Sequence, residues 1–242
     1  MKKTLKRTLI VNLYGGPGSG KSTMAARIFA ELKDLGINCE LATEYAKDVT
    51  WQKGFHILSN QLYIFAKQQH RIWRLDGQVD VIVTDSPLLN SLIYGSEDTS
   101  ETFKTLVVEE YKKRNSLDIF LKRTKPYNIA GRSQTLDEAK EIDDRIYKIL
   151  DSINAVHKYQ FNGEKNSAEA ILMTILDKLK QIKTDEIADE VASLILQRDE
   201  YNALKNVEVK RQQFASAAKY RTKERELQEL IDSVNDLIKT AN

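Results

Sequence analysis

The chain has 242 residues, a formal net charge of +2 at pH 7 and 30% charged residues. This near balance gives no electrostatic reason to expect a nucleic-acid partner, and no apolar run approaches the ~18 residues that a membrane span needs. The single cysteine, Cys39, excludes an internal disulfide and a cysteine-built zinc site, so we expect a protein of the reducing cytoplasm. The length suits one domain, or one domain with an appendage.

Residues 15–22 read Gly-Gly-Pro-Gly-Ser-Gly-Lys-Ser, which matches the pattern GxxxxGK[ST]. An apolar, β-branched stretch over 8–14 precedes this segment, and apolar residues recur at helical spacing over 22–34. Strand, glycine loop and helix in this order form the context of a P-loop, whose backbone N–H groups hold nucleotide phosphates. The competing interpretation, a plain glycine-rich turn, gives no reason for Lys21 and Ser22.

We therefore predict an ATP site at the glycine-rich segment. Lys21 is predicted to reach the β- and γ-phosphates, and Ser22 to ligate Mg²⁺. The full set of predicted ATP-binding residues is Gly15, Gly16, Pro17, Gly18, Ser19, Gly20, Lys21, Ser22 and Thr23.

Strand and helix patterns alternate up to about residue 182, which predicts an α/β fold of the P-loop NTPase type: a three-layer sandwich with a parallel sheet. Further strands are predicted over 37–42, 79–84, 117–121 and 158–161, and helices over 59–75 and 168–179. On the helix over 59–75, five residues lie roughly on one side: Leu62, Phe65, Ala66, Gln69 and Trp73. Ligands of such sheets bind at the carboxyl ends of the strands.

Charged side chains come directly after the predicted strands. Glu44 follows the second, Asp85 the third, and Arg123 and Arg132 follow the fourth. This set suits phosphoryl transfer, with Asp85 holding Mg²⁺, Glu44 taking the proton of an acceptor hydroxyl, and the arginines offsetting charge. The alternative for either carboxylate is a helix N-cap.

Aromatic residues come after the second predicted strand and are candidates for stacking on an acceptor ring. Tyr45 and Trp51 are the ones that we predict to line the acceptor site. For Phe55 and Tyr63 we favour ordinary packing in the core.

Residues 6–182 resemble the P-loop small-molecule kinases, particularly the deoxynucleoside and nucleotide kinases and the nicotinamide riboside kinase domain of NadR-type proteins. The resemblance implies that Glu44 is the general base, that Gln61 hydrogen-bonds a nucleobase, and that residues 123–134 form an arginine-rich lid. The third strand of the family ends in an acid-Arg-Ser motif. Here Asp85 is followed by Ser86 and Pro87, a departure from strict deoxynucleoside kinases.

Residues 183–242 contain no glycine or proline and carry two amphipathic helical patterns. We predict a hairpin whose first helix begins at Asp185 with Thr184 as its cap, forming a module separate from the kinase domain over 1–182. A run between 205 and 227 resembles the UVR motif of bacterial excision-repair proteins, which implies binding to a partner protein or self-association through residues 184–242. The run departs from that motif at Thr222, and an ordinary helical hairpin is the alternative. The matching residues are Lys205, Val209, Gln212, Phe214, Ala217, Ala218, Arg221, Glu224 and Leu227.

The leading functional prediction is ATP- and Mg²⁺-dependent phosphoryl transfer to a small acceptor, such as a nucleoside, a nucleotide or a related metabolite. One alternative is a regulatory ATPase that acts on a protein partner through the hairpin. Another is a polynucleotide 5′-hydroxyl kinase, which the near-neutral charge disfavours.

Overall fold

The computed structural model describes residues 7–95, 99–124, 126–127, 135–155 and 158–240. Five parallel strands form one sheet in the order β2-β3-β1-β4-β5, which confirms the predicted α/β class. The strands are β1 (Leu9–Tyr14), β2 (Cys39–Ala42), β3 (Val81–Thr84), β4 (Asn115–Lys122) and β5 (Lys158–Asn162).

Helices connect and flank these strands. They are α1 (Lys21–Asp34), α2 (Tyr45–Trp51), α3 (Phe55–Leu58), α4 (Gln61–Trp73), α5 (Asn90–Ile93), α6 (Glu101–Lys112), α7 (Leu136–Ser152), α8 (Ala168–Lys210) and α9 (Phe214–Thr240), with a 3₁₀ turn over Lys165–Ser167. Among the described residues, no helix is both long and apolar enough to cross a membrane.

The strand β1 lies in the middle of the sheet, with Leu9 paired to Val81 of β3 on one side and to Asn115 of β4 on the other. Every residue of β1 and β3 is buried. When both faces of a parallel sheet are covered, the side chains that point to either face are apolar. This explains why these two segments do not alternate between polar and apolar residues.

The end of α1 sets the start of β2. Gly36 adopts φ +73°, its N–H bonds the carbonyl of Lys33 at 2.9 Å, and the N–H of Ile37 bonds the carbonyl of Leu32 at 3.0 Å. This is the Schellman motif that glycine favours at a helix C-terminus. Because the N–H of Ile37 completes the helix end, β2 begins at Cys39, two residues later than predicted.

The helix α4 buries mainly a different side from the one that Leu62 and Trp73 share. Ile64, Phe65 and Ile72 are buried, whereas Leu62 and Trp73 are 60% and 59% exposed. Of the five residues that the sequence places on one side, Phe65 is thus part of the core. The sequence offers two apolar stripes on this helix, and the core takes the one that carries the isoleucines.

The chain divides into two compact units, one up to Leu179 and the other from Lys180 onwards. The predicted start of a helix at Asp185 was wrong, because α8 is continuous from Ala168 to Lys210. The hydroxyl of Thr184 donates to the carbonyl of Lys180 at 3.0 Å, a bond made within a continuous helix rather than at an N-cap.

Within the second unit, α8 and α9 pack against each other in opposite directions and form the predicted hairpin. Lys205 of α8 pairs with Glu224 of α9 at 2.6 Å, and Arg198 donates to Gln228 at 2.8 Å. Ala217 is buried in this hairpin. The assignment of residues 1–182 as a kinase domain and of 183–242 as an interaction module stays a prediction.

A buried carboxylate ties the sheet to a helix. Asp118 in the middle of β4 is 1% exposed and accepts hydrogen bonds from the Asn12 amide at 2.9 Å and from the Tyr111 hydroxyl of α6. Burial raises the pKa of Asp118, and the bonds from Tyr111 and Asn12 lower it in part. The native state therefore binds a proton at Asp118 more tightly than the unfolded chain does.

We predict that Asp118→Ala lowers the free energy of unfolding by about 3 kcal/mol, because it leaves two buried donors without an acceptor. Asp118→Asn keeps one acceptor and should cost less. Since the pKa of Asp118 is raised on folding, wild type loses stability as the pH rises from the ordinary aspartate range through that raised value, and the asparagine variant does not. Urea denaturation of wild type and the two variants from acidic to neutral pH measures the free energies of unfolding and their pH dependence. The same pH dependence in wild type and Asp118→Asn would contradict the assigned role of Asp118.

Candidate functional site

The carboxyl ends of β1, β2, β3 and β4 share one edge of the sheet, and the chain reverses its winding direction there. From β1 the connection leads outward to β2, whereas from β3 it crosses to β4 on the opposite side of β1. The crevice at such a switch point is the usual ligand site of an open α/β sheet. The predicted site residues directly after these four strands are therefore brought to one region.

The glycine-rich segment forms a loop between β1 and α1 that only glycine permits. Gly15, Gly18 and Gly20 have φ values of +140°, +80° and +93°. A Cβ on Gly20 would lie 2.9 Å from the carbonyl oxygen of Gly163, which comes directly after β5. Gly20 occupies the N-cap of α1 without a capping side chain, so the first N–H groups of α1 are left for a ligand.

Lys21 lies in the first turn of α1 and folds back over the loop. Its amine donates to the carbonyl of Gly15 at 2.6 Å and to that of Gly16 at 3.2 Å. Burial lowers the pKa of Lys21, while the carboxylates of Glu44 and Asp85 act to raise it. The lysine and the two predicted catalytic acids thus share one electrostatic environment.

Glu44 occupies the N-cap position of α2, but its side chain makes no capping hydrogen bond. Burial raises the pKa of Glu44, and Lys21 opposes this rise. Position alone would have fitted the N-cap alternative, yet the carboxylate is not used for it. The side chain is therefore available to a ligand.

Asp85 comes directly after β3 and is 6% exposed. Its Oδ1 atom is buried and has no hydrogen-bond partner among the described residues. A buried carboxylate oxygen without a donor is costly unless a cation or a water molecule satisfies it. Ser22 and Thr23, which were also predicted to belong to the ATP site, are exposed residues in the first turn of α1.

Arg123 comes directly after β4 and is held against the glycine-rich loop. Its side chain is 8% exposed, and its Nε donates to the carbonyl of Pro17 at 3.0 Å. A guanidinium nitrogen of Arg123 pairs with Asp143 of α7 at 3.1 Å, and the other oxygen of Asp143 accepts the N–H of Gly16. The ring of Tyr127 packs over Gly18.

Asp143 was missed in the sequence because it lies inside an ordinary amphipathic helix and not at the end of a strand. Asp143 is recognised only in the folded structure, where its carboxylate links the loop after β1 to the arginine after β4. Tyr94, the C-cap of the short helix α5, was also missed, because it does not directly follow a strand. Burial raises the pKa of its hydroxyl, and the nearby carboxylates of Glu44 and Asp143 raise it further.

Two glutamines of α4 have different surroundings. Gln61, the predicted one, donates to the carbonyl of Leu58 at 2.7 Å, a contact with the preceding turn. Gln68, which the sequence did not single out, is 4% exposed and accepts the N–H of Tyr45 at 2.9 Å. Its amide nitrogen is buried without a partner among the described residues. Gln68 therefore lies against the start of α2, where Glu44 is the N-cap residue.

The aromatic residues are more exposed than core packing would make them. Phe55 and Tyr63 are 58% and 39% exposed, so the prediction that both pack in the core was wrong. Tyr45 makes an edge-to-face contact with Tyr63, and Trp51 at the end of α2 is 74% exposed. The predicted arginine Arg132 lies outside the described residues.

We predict that Asp143→Ala lowers the free energy of unfolding by about 3 kcal/mol, because it leaves the buried guanidinium of Arg123 without its counter-charge. The neighbouring Asp144 is exposed, so Asp144→Ala is the matched control and should change stability by less than about 0.5 kcal/mol. Chemical denaturation of the two variants gives the comparison. Equal losses would show that the link between Asp143 and Arg123 carries no stability.

Several known proteins are similar to this chain in structure or in sequence. A crystal structure of NadR in complex with NAD and AMP-PNP superposes with a TM-score of 0.54 at 12% identity, covering 70% of this chain and 49% of that one. Deoxyadenosine kinase from M. mycoides with bound dATP gives 0.43 at 14% identity, covering 69% and 98%. RecA from Campylobacter jejuni subsp. doylei is 35% identical over 85 residues, which are 32% of this chain and 25% of RecA.

This chain thus spans about half the length of the NadR chain and a quarter of RecA. At such a low identity the likeness to NadR shows the fold, and it confirms the predicted P-loop architecture. A family model described as an AAA domain matches residues 10–166. Since this match covers more than half of the sequence, the chain belongs to this AAA domain family.

Proposed function

We propose that the protein transfers the γ-phosphoryl group of ATP to a hydroxyl of a small acceptor. The observation that carries the proposal is Glu44, a partly buried carboxylate at the N-cap of α2 that does not cap its helix and acts electrostatically on Lys21 of the glycine-rich loop. A P-loop protein that only binds nucleotide has no need of a desolvated base there. NadR, whose fold is similar, is a protein seen with both NAD and AMP-PNP.

The glycine-rich loop and Lys21 would bind the phosphates. The Lys21 amine donates to two loop carbonyls, those of Gly15 and Gly16. Phosphate oxygens offer a charged acceptor in their place, and a charge-assisted hydrogen bond is about twice as strong as a neutral one. Arg123, already held at the loop by Pro17 and Asp143, and Arg132 would offset charge that develops on the transferred group.

The residues present also fit a magnesium ion. Among the described residues, no donor reaches a buried oxygen of Asp85, and Ser22 is an exposed residue at the start of α1, directly after the loop. Oxygen ligands of this kind are those that Mg²⁺ prefers, usually with waters and phosphate oxygens completing its coordination. When bound, the ion supplies positive charge that neutralises phosphate oxygens.

Glu44 would take the proton from the acceptor hydroxyl. The acceptor oxygen then bonds to the γ-phosphorus, the bond from that phosphorus to the β,γ-bridging oxygen breaks, and ADP leaves with the bond's electron pair. Because burial raises the pKa of Glu44, the carboxylate is a stronger base than an exposed glutamate and is still ionised above that raised value.

The acceptor would bind between α2 and α4. Gln68 offers a buried amide donor, and Tyr45 and Tyr94 offer a ring and a hydroxyl near Glu44. Of the residues first predicted to bind the acceptor, Trp51 ends α2 and Gln61 begins α4. A planar ring with hydrogen-bonding groups, as in a nucleoside or a nicotinamide riboside, suits this lining.

A regulatory ATPase is the second candidate, because the hairpin of α8 and α9 forms a unit of its own and offers a surface for a protein partner or for self-association. The UVR-like run lies on that hairpin. Against this candidate, Asp85 is followed by Ser86, so the acidic pair that often activates water in such ATPases is lacking.

We predict that Lys21→Ala and Ser22→Ala each lower kcat by ~10²-fold or more without unfolding the protein, since each removes a group that would stabilise the transferred phosphoryl charge. Lys33→Ala is the matched control, because Lys33 is an exposed lysine of the same helix that pairs with Glu40 away from the loop. Turnover of labelled ATP measures the effect. Unchanged turnover in a folded Lys21→Ala protein would rule out the proposed site.

We predict that Glu44→Gln lowers kcat for phosphoryl transfer by ~10²-fold, because the amide cannot accept the proton. In wild type, kcat/KM should rise with pH through the pKa of Glu44, which burial places above the ordinary glutamate value, and this acidic limb should be lost in the variant. Glu40→Gln is the control. Nucleosides, nucleoside monophosphates and nicotinamide riboside are the acceptors to screen; undiminished ATP hydrolysis in Glu44→Gln with no acceptor found would favour the ATPase.

A further inference from the structure

One side of α9 carries a stripe of charges that changes sign at its middle. Positions three and four residues apart lie on the same side of a helix. The first part of this stripe is apolar and basic, and the second part is acidic. Its members are Phe214, Ala218, Arg221, Arg225, Glu229, Asp232 and Asp236.

The charges at the centre of this stripe make no ion pair among the described residues. Arg221, Arg225, Glu229 and Asp232 are exposed, and the first three make no side-chain ion pair among the described residues. Asp232 is partnered by the uncharged amide of Gln228 at 2.9 Å. The contacts that close the hairpin come from other positions, as the pairing of Lys205 with Glu224 shows.

The adjoining side of α8 carries mostly small side chains. Its stripe at the same spacing is Ala188, Ala192, Ile195, Asp199, Asn202, Asn206 and Val209. Val209 lines one groove together with Phe214, Ala218 and Arg221, so both stripes belong to the same side of the hairpin. Val209 and Phe214 are 47% and 66% exposed, which leaves apolar surface uncovered at the hairpin's tip.

We propose that this side of the hairpin docks on the same side of a second copy of the chain, with the two α9 helices antiparallel. A two-fold axis between Arg225 and Glu229 sets Arg225 opposite Glu229 of the second copy, and Arg221 opposite Asp232 of the second copy. Symmetry repeats each contact, so four ion pairs form. A two-fold contact requires a surface that is complementary to itself, and a stripe that reverses its charge about its own midpoint meets this requirement.

The antiparallel arrangement also sets larger apolar side chains of one hairpin opposite small side chains of the other. The apolar tip with Val209 and Phe214 comes over the other end of the second hairpin, where the α8 stripe carries Ala188 and Ala192 and allows close approach. Helices with small residues at the contact pack at the short end of the usual 8–10 Å range. In a parallel arrangement arginine would face arginine and carboxylate would face carboxylate, which disfavours that register.

The exposed ion pairs set orientation rather than most of the affinity, since such pairs contribute only ~0.2–1 kcal/mol each. Reversing their sign is a sharper change than removing them, because like charges are then forced together. The proposal does not depend on the phosphoryl-transfer reaction. Its test therefore uses particle mass and not activity.

The experiment compares four full-length proteins by light scattering at low salt. One variant carries Arg221→Glu and Arg225→Glu, and the other carries Glu229→Arg and Asp232→Arg. The control exchanges an exposed pair off the stripe, Lys223→Glu with Glu226→Lys. Circular dichroism checks that all four remain helical, and nucleotide binding by the first unit reports separately on the ATP site.

We expect wild type and the control to have twice the mass of one chain, and each stripe variant alone to be monomeric, with its dimer dissociation constant raised at least ~10-fold. An equimolar mixture of the two stripe variants should regain the dimer mass, because all charges on one chain then oppose the sign on the other. A monomeric wild type, dimeric stripe variants, or a mixture that stays monomeric would each overturn the proposal.

Discussion

The burial of β1 between two parallel neighbours is the constraint on which the rest of the first unit depends. With β3 on one side and β4 on the other, β1 has neither a free edge nor a solvent-facing side. Its carboxyl end therefore has a fixed position, and the glycine-rich loop starts from that position. The loops after β2, β3 and β4 end at the same edge, so their acids and their arginine meet the loop without any special arrangement of long-range contacts.

The sequence was sufficient for this part because each feature there has a local cause. Apolar runs predict buried strands, and the glycines with Lys21 and Ser22 predict a phosphate-binding loop wherever a strand precedes and a helix succeeds it. Glu44, Asp85 and Arg123 are recognisable because each stands just beyond the carboxyl end of a predicted strand. Asp143 and Gln68 were not predicted because each lies within a helix pattern. The packing of α7 brings Asp143 to the glycine-rich loop, and the packing of α4 brings Gln68 to Tyr45.

Other differences arise where local patterns are ambiguous. The helix α4 carries two apolar stripes, and periodicity alone does not say which one the core takes. The segment around Thr184 contains a residue that favours caps, but no glycine or proline that would end a helix, and α8 continues through it. For α4, tertiary packing and not the local sequence decides which stripe is buried.

The position of β1 also has a consequence for how the chain comes to be folded. The bond from Thr8 to Val79 spans 71 residues, and the bond from Asn12 to Asp118 spans 106. Both flanking strands are thus made long after β1 itself, and contacts of such high sequence separation form slowly. At about 5–20 residues per second on the ribosome, the β1 segment therefore spends seconds without its neighbouring strands, with its apolar side chains uncovered.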